Sequence, residues 1–456
     1  MARLPRVLTI AGSDPTAGAG IQADLKTFSC FNVVASSVVA VVTSQNTVGI
    51  QAVHPLPPEL VALQIDSVVE DVGVDAVKIG MLYAKEIIDV VIEKIRQYSW
   101  SLVVLDPVLS SKTGHKLLAD DAYDSLKELM KYAFVVTPNV REAELLSGLG
   151  GRSQEDMVKC AEEILKLGPR NVVITGGHYP SSGKVLDRLY TERREAVKLE
   201  DEKLESENTH GTGCVYSSAL TCYLALGYDV VTAFKKAHFF TKSAILHGVR
   251  HGKNFGMVDP VGEVRLQAER YFVLSEVKQA VSEVLEKQHL FRSFCPEVGM
   301  NVAMSLERAK APSDVCAVDG RIVKTGKGLK RVGDVEFGAS KHLARLLLAY
   351  KQFNDKVNAV LNLAYSPDLV SAMQDLGLTC AFVDREKEPK EVAEVEGSSM
   401  SWVVKECYEK YGFLPAVIYD AGAKGKEAMV RLFAESATKA VLLAEKAVEK
   451  ALSKKQ

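Results

Sequence analysis

Val7-Leu8-Thr9-Ile10-Ala11-Gly12-Ser13-Asp14-Pro15-Thr16-Ala17-Gly18-Ala19-Gly20-Ile21-Gln22-Ala23-Asp24 reads as a buried strand over 7–10, a glycine-rich loop, and a helix through 21–31. A short apolar run, a flexible loop and then helical periodicity make one strand–loop–helix unit. The same alternation continues outward. Strand signals recur at 38–43, 76–79, 102–105, 134–136 and 171–175, with helical patterns at 59–69, 84–97, 121–130 and 154–165 between them. Short apolar strands separated by helices predict a parallel, doubly wound α/β sheet. The stretch 183–199, alternating around a charged tip, predicts a hairpin on one sheet edge. Two apolar helices, at 215–226 and 229–247, close this first unit.

The chain has 456 residues, too many for one ordinary domain. Its charged fraction is 25% and its formal net charge is −2, so no global pull toward nucleic acid or an anionic membrane is expected. No run of about 20 apolar residues exists to span a bilayer. The apolar 7–10 is too short for a signal-peptide core and lacks a cleavage pattern after it, so a cytoplasmic location is expected. The 8 cysteines are scattered without metal-ligand spacing, and reduced thiols are expected.

Polar residues gather at the strand ends, where parallel sheets bind ligands. The loop containing Gly12 lets backbone approach a small molecule, and Asp24 can accept its hydroxyl. Gln45 offers a donor and an acceptor to a nitrogen heterocycle. Lys78-Ile79-Gly80-Met81 gives an adaptable apolar wall. Asp106 follows one strand; Thr137-Pro138-Asn139 with Glu142 follows another, and their oxygens suit magnesium. Glu207-Asn208-Thr209-His210-Gly211-Thr212-Gly213-Cys214 opens a helix. Two glycines at a helix start form an anion site suited to phosphate. Cys214 lies in that field, where a thiol is expected to lose its proton more easily.

These motifs, in this order, resemble the hydroxymethylpyrimidine/phosphomethylpyrimidine kinase family over about 4–260. The resemblance implies a ribokinase-like αβα sandwich that phosphorylates the thiamine pyrimidine precursor twice, using ATP and Mg2+. It places Gly12, Asp24, Gln45 and Met81 around the pyrimidine, with Gly211, Gly213 and Cys214 forming the anion hole and Cys214 as the base. It assigns Asp106, Asn139 and Glu142 to magnesium and the ATP phosphates, Asp106 and Glu142 as the metal-side carboxylates. Gly176 and Gly177 fall on the nucleotide side.

From about 291 a second, smaller α/β domain begins, with strands at 359–363, 379–383 and 416–419. Helices are expected at 343–350, 368–375, 401–411 and 440–451. The expected division is 1–262, a linker helix region at 263–290, and 291–456. The polar stretch 319–345 carries Arg321, then Ser340 as an N-cap, then Lys341, His342 and Arg345 in the first helical turns. That arrangement suits a diphosphate. Lys424 and Lys426 lie in a basic loop after the 416–419 strand. The second half resembles the archaeal-type thiamine-phosphate synthase domain. This implies coupling of pyrimidine diphosphate to thiazole phosphate, with the family's key residues at Arg321 and His342.

Three functions follow. The first is a bifunctional enzyme that makes thiamine phosphate. The second is an active pyrimidine kinase with a thiamine-phosphate-sensing C-terminal domain. The third is a kinase of pyridoxal or another vitamin alcohol. Small-molecule substrates are expected as partners (hydroxymethylpyrimidine, its phosphates and thiazole phosphate), without nucleic acid or membrane, in a homo-oligomer.

Overall fold

The computed structural model describes residues 3–111, 114–150, 153–176, 183–192, 196–389, 391–392, 395, 397–423 and 425–454. The chain forms two compact units, Met1–Arg265 and Leu266–Gln456.

The first unit is built on nine strands: β1 (Arg6–Ser13), β2 (Val34–Gln45), β3 (Ile50–Pro55), β4 (Ala76–Ile79), β5 (Val103–Leu105), β6 (Val135–Val136), β7 (Asn171–Ile174), β8 (Lys184–Thr191) and β9 (Ala196–Glu202). Their order is β3-β2-β1-β4-β5-β6-β7-β8-β9. The run from β2 to β7 is parallel. β3 adds antiparallel on one edge and the β8–β9 hairpin on the other. Alternation sets the two faces. Val103 and Leu105 pack under the helices Lys85–Tyr98 and Tyr123–Met130, while Val104 joins the opposite core with Tyr216, Ala219 and Phe234. The result is a helix–sheet–helix sandwich. A short parallel pair, β10 (Asn208–His210) and β11 (Gly256–Met257), brings the 251–256 loop back beside the start of the helix Thr212–Ala225.

The second unit has a seven-stranded sheet made of β12 (Val302–Ser305), β13 (Val315–Val318), β16 (Val335–Phe337), β17 (Ala359–Ala364), β18 (Cys380–Phe382), β19 (Val417–Asp420) and β20 (Met429–Ala434). The hairpin β14 (Ile322–Thr325) and β15 (Gly328–Arg331) stands apart from it. The order is β16-β13-β12-β17-β20-β19-β18, antiparallel except for β18 on β19. One face carries the helices Pro367–Asp375 and Ala437–Ser453; the other carries Lys341–Lys351 and Ser398–Tyr411.

The segment expected as a linker, 263–290, is packed structure. The helix Gly262–Glu286 buries Val273, Val277, Ala280, Val281 and Val284 in the second unit's core. Apolar residues at helical spacing make it a core element there. Among the described residues, no helix is long and apolar enough to cross a membrane.

Candidate active sites

The first site forms where β1, β4 and β5 end against the helix Thr212–Ala225. Gly211 starts that helix with φ +84°, and a Cβ there would lie 1.8 Å from the Gly18 carbonyl. Gly18 is equally confined, because its Cβ would meet the His210 ring and the Met257 sulfur at 2.6 Å. These glycines let the first loop lie directly on the helix start. The first helical rung is Val215 N to Gly211 O at 3.0 Å, and the amides of Gly213 and Cys214 precede it. Gly213 faces Asp106 Oδ2, 3.7 Å from where its Cβ would be. One turn on, Ser217 donates to Asp106 Oδ2 at 3.2 Å, and Ser218 donates to Asp24 Oδ1 at 2.7 Å. A single helix therefore holds both carboxylates in place.

Asp24 does not face a ligand. It is wholly buried and accepts from Thr9 Oγ1 at 2.6 Å, from Ser218 and from Lys78 Nζ at 2.9 Å. Its oxygens are spent on Lys78, so it positions that charge instead of accepting a substrate hydroxyl. Lys78 is a candidate site residue that the sequence showed only as part of an apolar wall. It is wholly buried, and although burial alone would lower its pKa, Asp24, Cys214 and Asp106 outweigh burial and hold it above the ordinary value. The signal was a lysine inside the otherwise apolar strand Ala76–Ile79.

Cys214 sits beside these charges, and the expected ease of ionisation is reversed. Burial is the largest influence and drives the thiol up. Lys78 and the Gly20 amide act downward, Asp24 and Asp106 act upward, and the thiol ends at about 12. The helix start is overcome by dehydration and two neighbouring carboxylates.

Asp106 and Glu142 are also brought together. Both are buried, burial raises both, and Asp106 adds to the rise at Glu142, which reaches about 8. Glu142 is fixed by a capping box: Asn139 Oδ1 accepts from Glu142 N and Glu142 Oε2 from Asn139 N, each at 3.0 Å. Two buried carboxylates that resist ionising together fit a divalent cation shared with phosphate oxygens. Among the described residues no group of three or more His, Cys, Asp or Glu could hold a metal unaided. A testable consequence follows for stability. Between its ordinary 4.5 and about 8, folded Glu142 keeps a proton that the unfolded chain has released. Stability therefore falls as pH rises through that window. Glu142→Gln should flatten the decline in denaturation midpoint between pH 5 and pH 8; an unchanged slope would rule the assignment out.

Gly12 and Met81 adjoin, since a Cβ on Gly12 would meet Met81 Sδ at 3.3 Å. Gln45, at the end of β2, lines a cavity with Asn46, Ile50, His210 and Phe255. Gly176 is wedged against β8, where a Cβ would strike the Leu186 carbonyl at 2.0 Å, and its amide donates to Asp187. Its neighbour Thr175 bridges Asn139, which keeps it beside the Asn139–Glu142 capping box. Gly177 lies outside the described residues.

The second site gathers arginines around His342. Ser340 is at the N-cap but makes no capping side-chain hydrogen bond, and Lys341 and His342 are exposed. Although His342 keeps solvent contact, the protein packed around its ring, then Arg431, Arg321, Arg385 and Arg345, lower its pKa from the ordinary 6.5. Arg321 sits in a positive-φ turn at +76° and donates from Nη1 to Val298 O. The Arg345 guanidinium lies where a Gly397 side chain would be. Lys426 donates to Glu388. Lys424 lies outside the described residues. Sequence reasoning missed Arg385 and Arg431, which are both buried. The arginine within the apolar strand Met429–Ala434 was the available signal.

Comparison with known proteins matches both halves of the chain. The phosphomethylpyrimidine kinase family matches residues 14–259, and the thiamine-phosphate synthase ThiN family matches 276–446. The hydroxymethylpyrimidine/phosphomethylpyrimidine kinase of Bacillus subtilis is 41% identical over 252 residues, covering 55% of this chain and 93% of that protein. Among solved structures, Bacillus subtilis pyridoxal kinase in its ADP complex superposes with a TM-score of 0.54 at 36% identity, covering 57% of this chain and 99% of that one. The ribokinase-like fold is thereby shared. The bifunctional thiamine biosynthesis protein ThiDN of Methanocaldococcus jannaschii is 32% identical over 436 residues, 95% of this chain and 96% of that protein. With both halves matched in order along nearly the whole length, the chain belongs to the family of bifunctional thiamine biosynthesis proteins that join a phosphomethylpyrimidine kinase to a thiamine-phosphate synthase.

Proposed function

We propose that the first unit phosphorylates hydroxymethylpyrimidine to its mono- and diphosphate with ATP, and that the second couples the diphosphate to thiazole phosphate. The observation that carries the kinase half is the meeting of Lys78, Asp106 and the Gly20 amide on Cys214 at a helix start. Phosphoryl transfer needs positioning and charge neutralisation more than a strong base. Gln45 would pair with the pyrimidine edge, and Gly12 with Met81 would form its wall. The Gly211–Gly213 turn presents amides to the transferred group, and Lys78 supplies buried positive charge behind it. Cys214, as a neutral thiol, would orient the attacking hydroxyl, whose proton leaves with the phosphoryl oxygens. Magnesium held by Asp106 and Glu142 would neutralise the nucleotide phosphates, with Asn139 and Gly176 on that side.

In the second unit Arg321, Lys341, Arg345 and Lys426 would take the diphosphate. The carbon–oxygen bond to diphosphate breaks, the aminopyrimidine stabilises the cation left behind, and the thiazole nitrogen closes on it. His342 is neutral in the resting site and free to accept a proton as anionic charge arrives to offset the arginines. A cytoplasmic, homo-oligomeric enzyme is part of this reading, and eight free cysteines support the location.

The test supplies purified protein with hydroxymethylpyrimidine, ATP, magnesium and thiazole phosphate, and looks for thiamine phosphate. Diphosphate accumulating without thiamine phosphate sinks the synthase half; no phosphorylated pyrimidine sinks the kinase half. His342→Ala should lower coupling by roughly 10²–10⁴-fold and leave the kinase untouched. Likeness to a pyridoxal kinase favours a second substrate for the first unit. Pyridoxal offered with ATP in the same assay decides it.

A further inference from the structure

Arg385 is buried to 6% exposure, and among the described residues its Nε and Nη1 have no hydrogen-bond partner. Its remaining nitrogen, Nη2, forms an ion pair with Glu388 Oε2 at 3.0 Å, and the guanidinium lies 6.0 Å from the Trp402 ring centre. Glu388 is itself buried and also accepts from Lys426 and Ser399, so one carboxylate serves two cations. Arg431, 4% exposed, is held by Asp420 Oδ2 at 2.7 Å, and its charge is felt at Arg385. Both arginines act on His342. A buried guanidinium with open donors is costly unless an acceptor fills them. Its planar array of donors matches phosphoryl oxygens better than an ammonium would.

We propose that Arg385, backed by Arg431, is a ligand of a phosphoryl oxyanion in the second site, and that Glu388 is its positioning residue. Nε and Nη1 donate to oxygens of a diphosphate or of a phosphate ester, and the carboxylate of Glu388 fixes the plane of the guanidinium. The synthase reading supplies only the identity of the anion; the anion site rests on the unpartnered, buried donors.

Calorimetry on the full chain tests this, with inorganic pyrophosphate in one arm and thiazole phosphate in the other. Arg385→Gln should weaken one or both by roughly 10- to 100-fold. Arg385→Lys keeps a charge against Glu388 and should fold even if the glutamine variant does not; it should bind more weakly than wild type because the planar donors are gone. Loss in the pyrophosphate arm assigns Arg385 to the leaving diphosphate, and loss in the other arm assigns it to the acceptor's phosphate. Glu388→Ala should raise KM for pyrimidine diphosphate, and Glu388→Gln, which keeps an oxygen toward Nη2, should restore it. Wild-type affinity for both anions in variants that melt like wild type overturns the proposal, as does failure of the wild-type chain to bind either anion at millimolar concentration. Should the wild-type chain make no thiamine phosphate while anion binding still depends on Arg385, the synthase reading fails and the anion site stands.

Discussion

Lys78→Met is expected to destabilise the first unit by about 3–5 kcal/mol and to abolish most kinase turnover, while coupling of supplied pyrimidine diphosphate continues. Lys78 and Asp24 are both wholly buried at 2.9 Å, so removing the ammonium strands a carboxylate in the core. Thr9 and Ser218 still donate to that carboxylate, but two hydroxyl groups do not replace a full charge. The double variant Lys78→Met with Asp24→Asn separates folding from catalysis. An amide in place of the carboxylate accepts from one of these two hydroxyl groups through its oxygen and donates to the other through its nitrogen, so most of the stability should return. Turnover should not return, because the positive charge next to Asp106 and Cys214 remains absent. Chemical denaturation and kinase assays on the full chain check both halves. If the single variant melts within about 0.5 kcal/mol of wild type and keeps its turnover, Lys78 has no part in the centre.

How far the sequence was legible follows from what each signal depends on. The parallel order from β2 to β7 was readable because strand and helix periodicities differ and each run was long enough to show one. The edge hairpin at β8–β9 was readable for the same reason. β3 and β20 were passed over, one largely exposed at the sheet edge and the other interrupted by Arg431. The stretch 319–333 read only as polar, yet half of it is the β14–β15 hairpin, which buries Ile322, Gly328 and Leu329 and exposes Lys324 and Lys330. Motif order picked out Cys214, Asp106, Glu142 and His342. It could not show that Asp24 points inward to Lys78, since a carboxylate one turn into a helix reads alike whether it faces a ligand or a buried cation. Nor could spacing reveal that Arg321, Arg345, Arg385 and Arg431, spread over 110 residues of chain, converge on one imidazole. That convergence is a product of the antiparallel sheet order, which places β20 between β17 and β19.

Cys214→Ala should lower kinase turnover by roughly 10²–10⁴-fold without affecting the synthase, yet the reason differs from the one a helix-start thiol first suggests. With the thiol at about 12, almost none of it is ionised at neutral pH. A resting thiolate base would require Lys78 and the helix start to dominate, and they do not: burial is the largest influence, and Asp24 and Asp106 add to it. The alkylation rate of Cys214 reports the ionised fraction directly, since only the thiolate is the nucleophile. Followed on the Cys214 peptide by mass, the rate with iodoacetamide should be slow at pH 7 and rise about tenfold per pH unit through pH 9. A plateau near pH 7 would restore the thiolate base and remove the neutral-thiol mechanism. The continuous rise would instead leave the proton to depart with the transferred phosphoryl group, and would explain why the centre keeps a wholly buried lysine beside its cysteine. On the proposed mechanism the positive charge serves the phosphate, which arrives only with the nucleotide, and an anion arriving there leaves the thiol neutral.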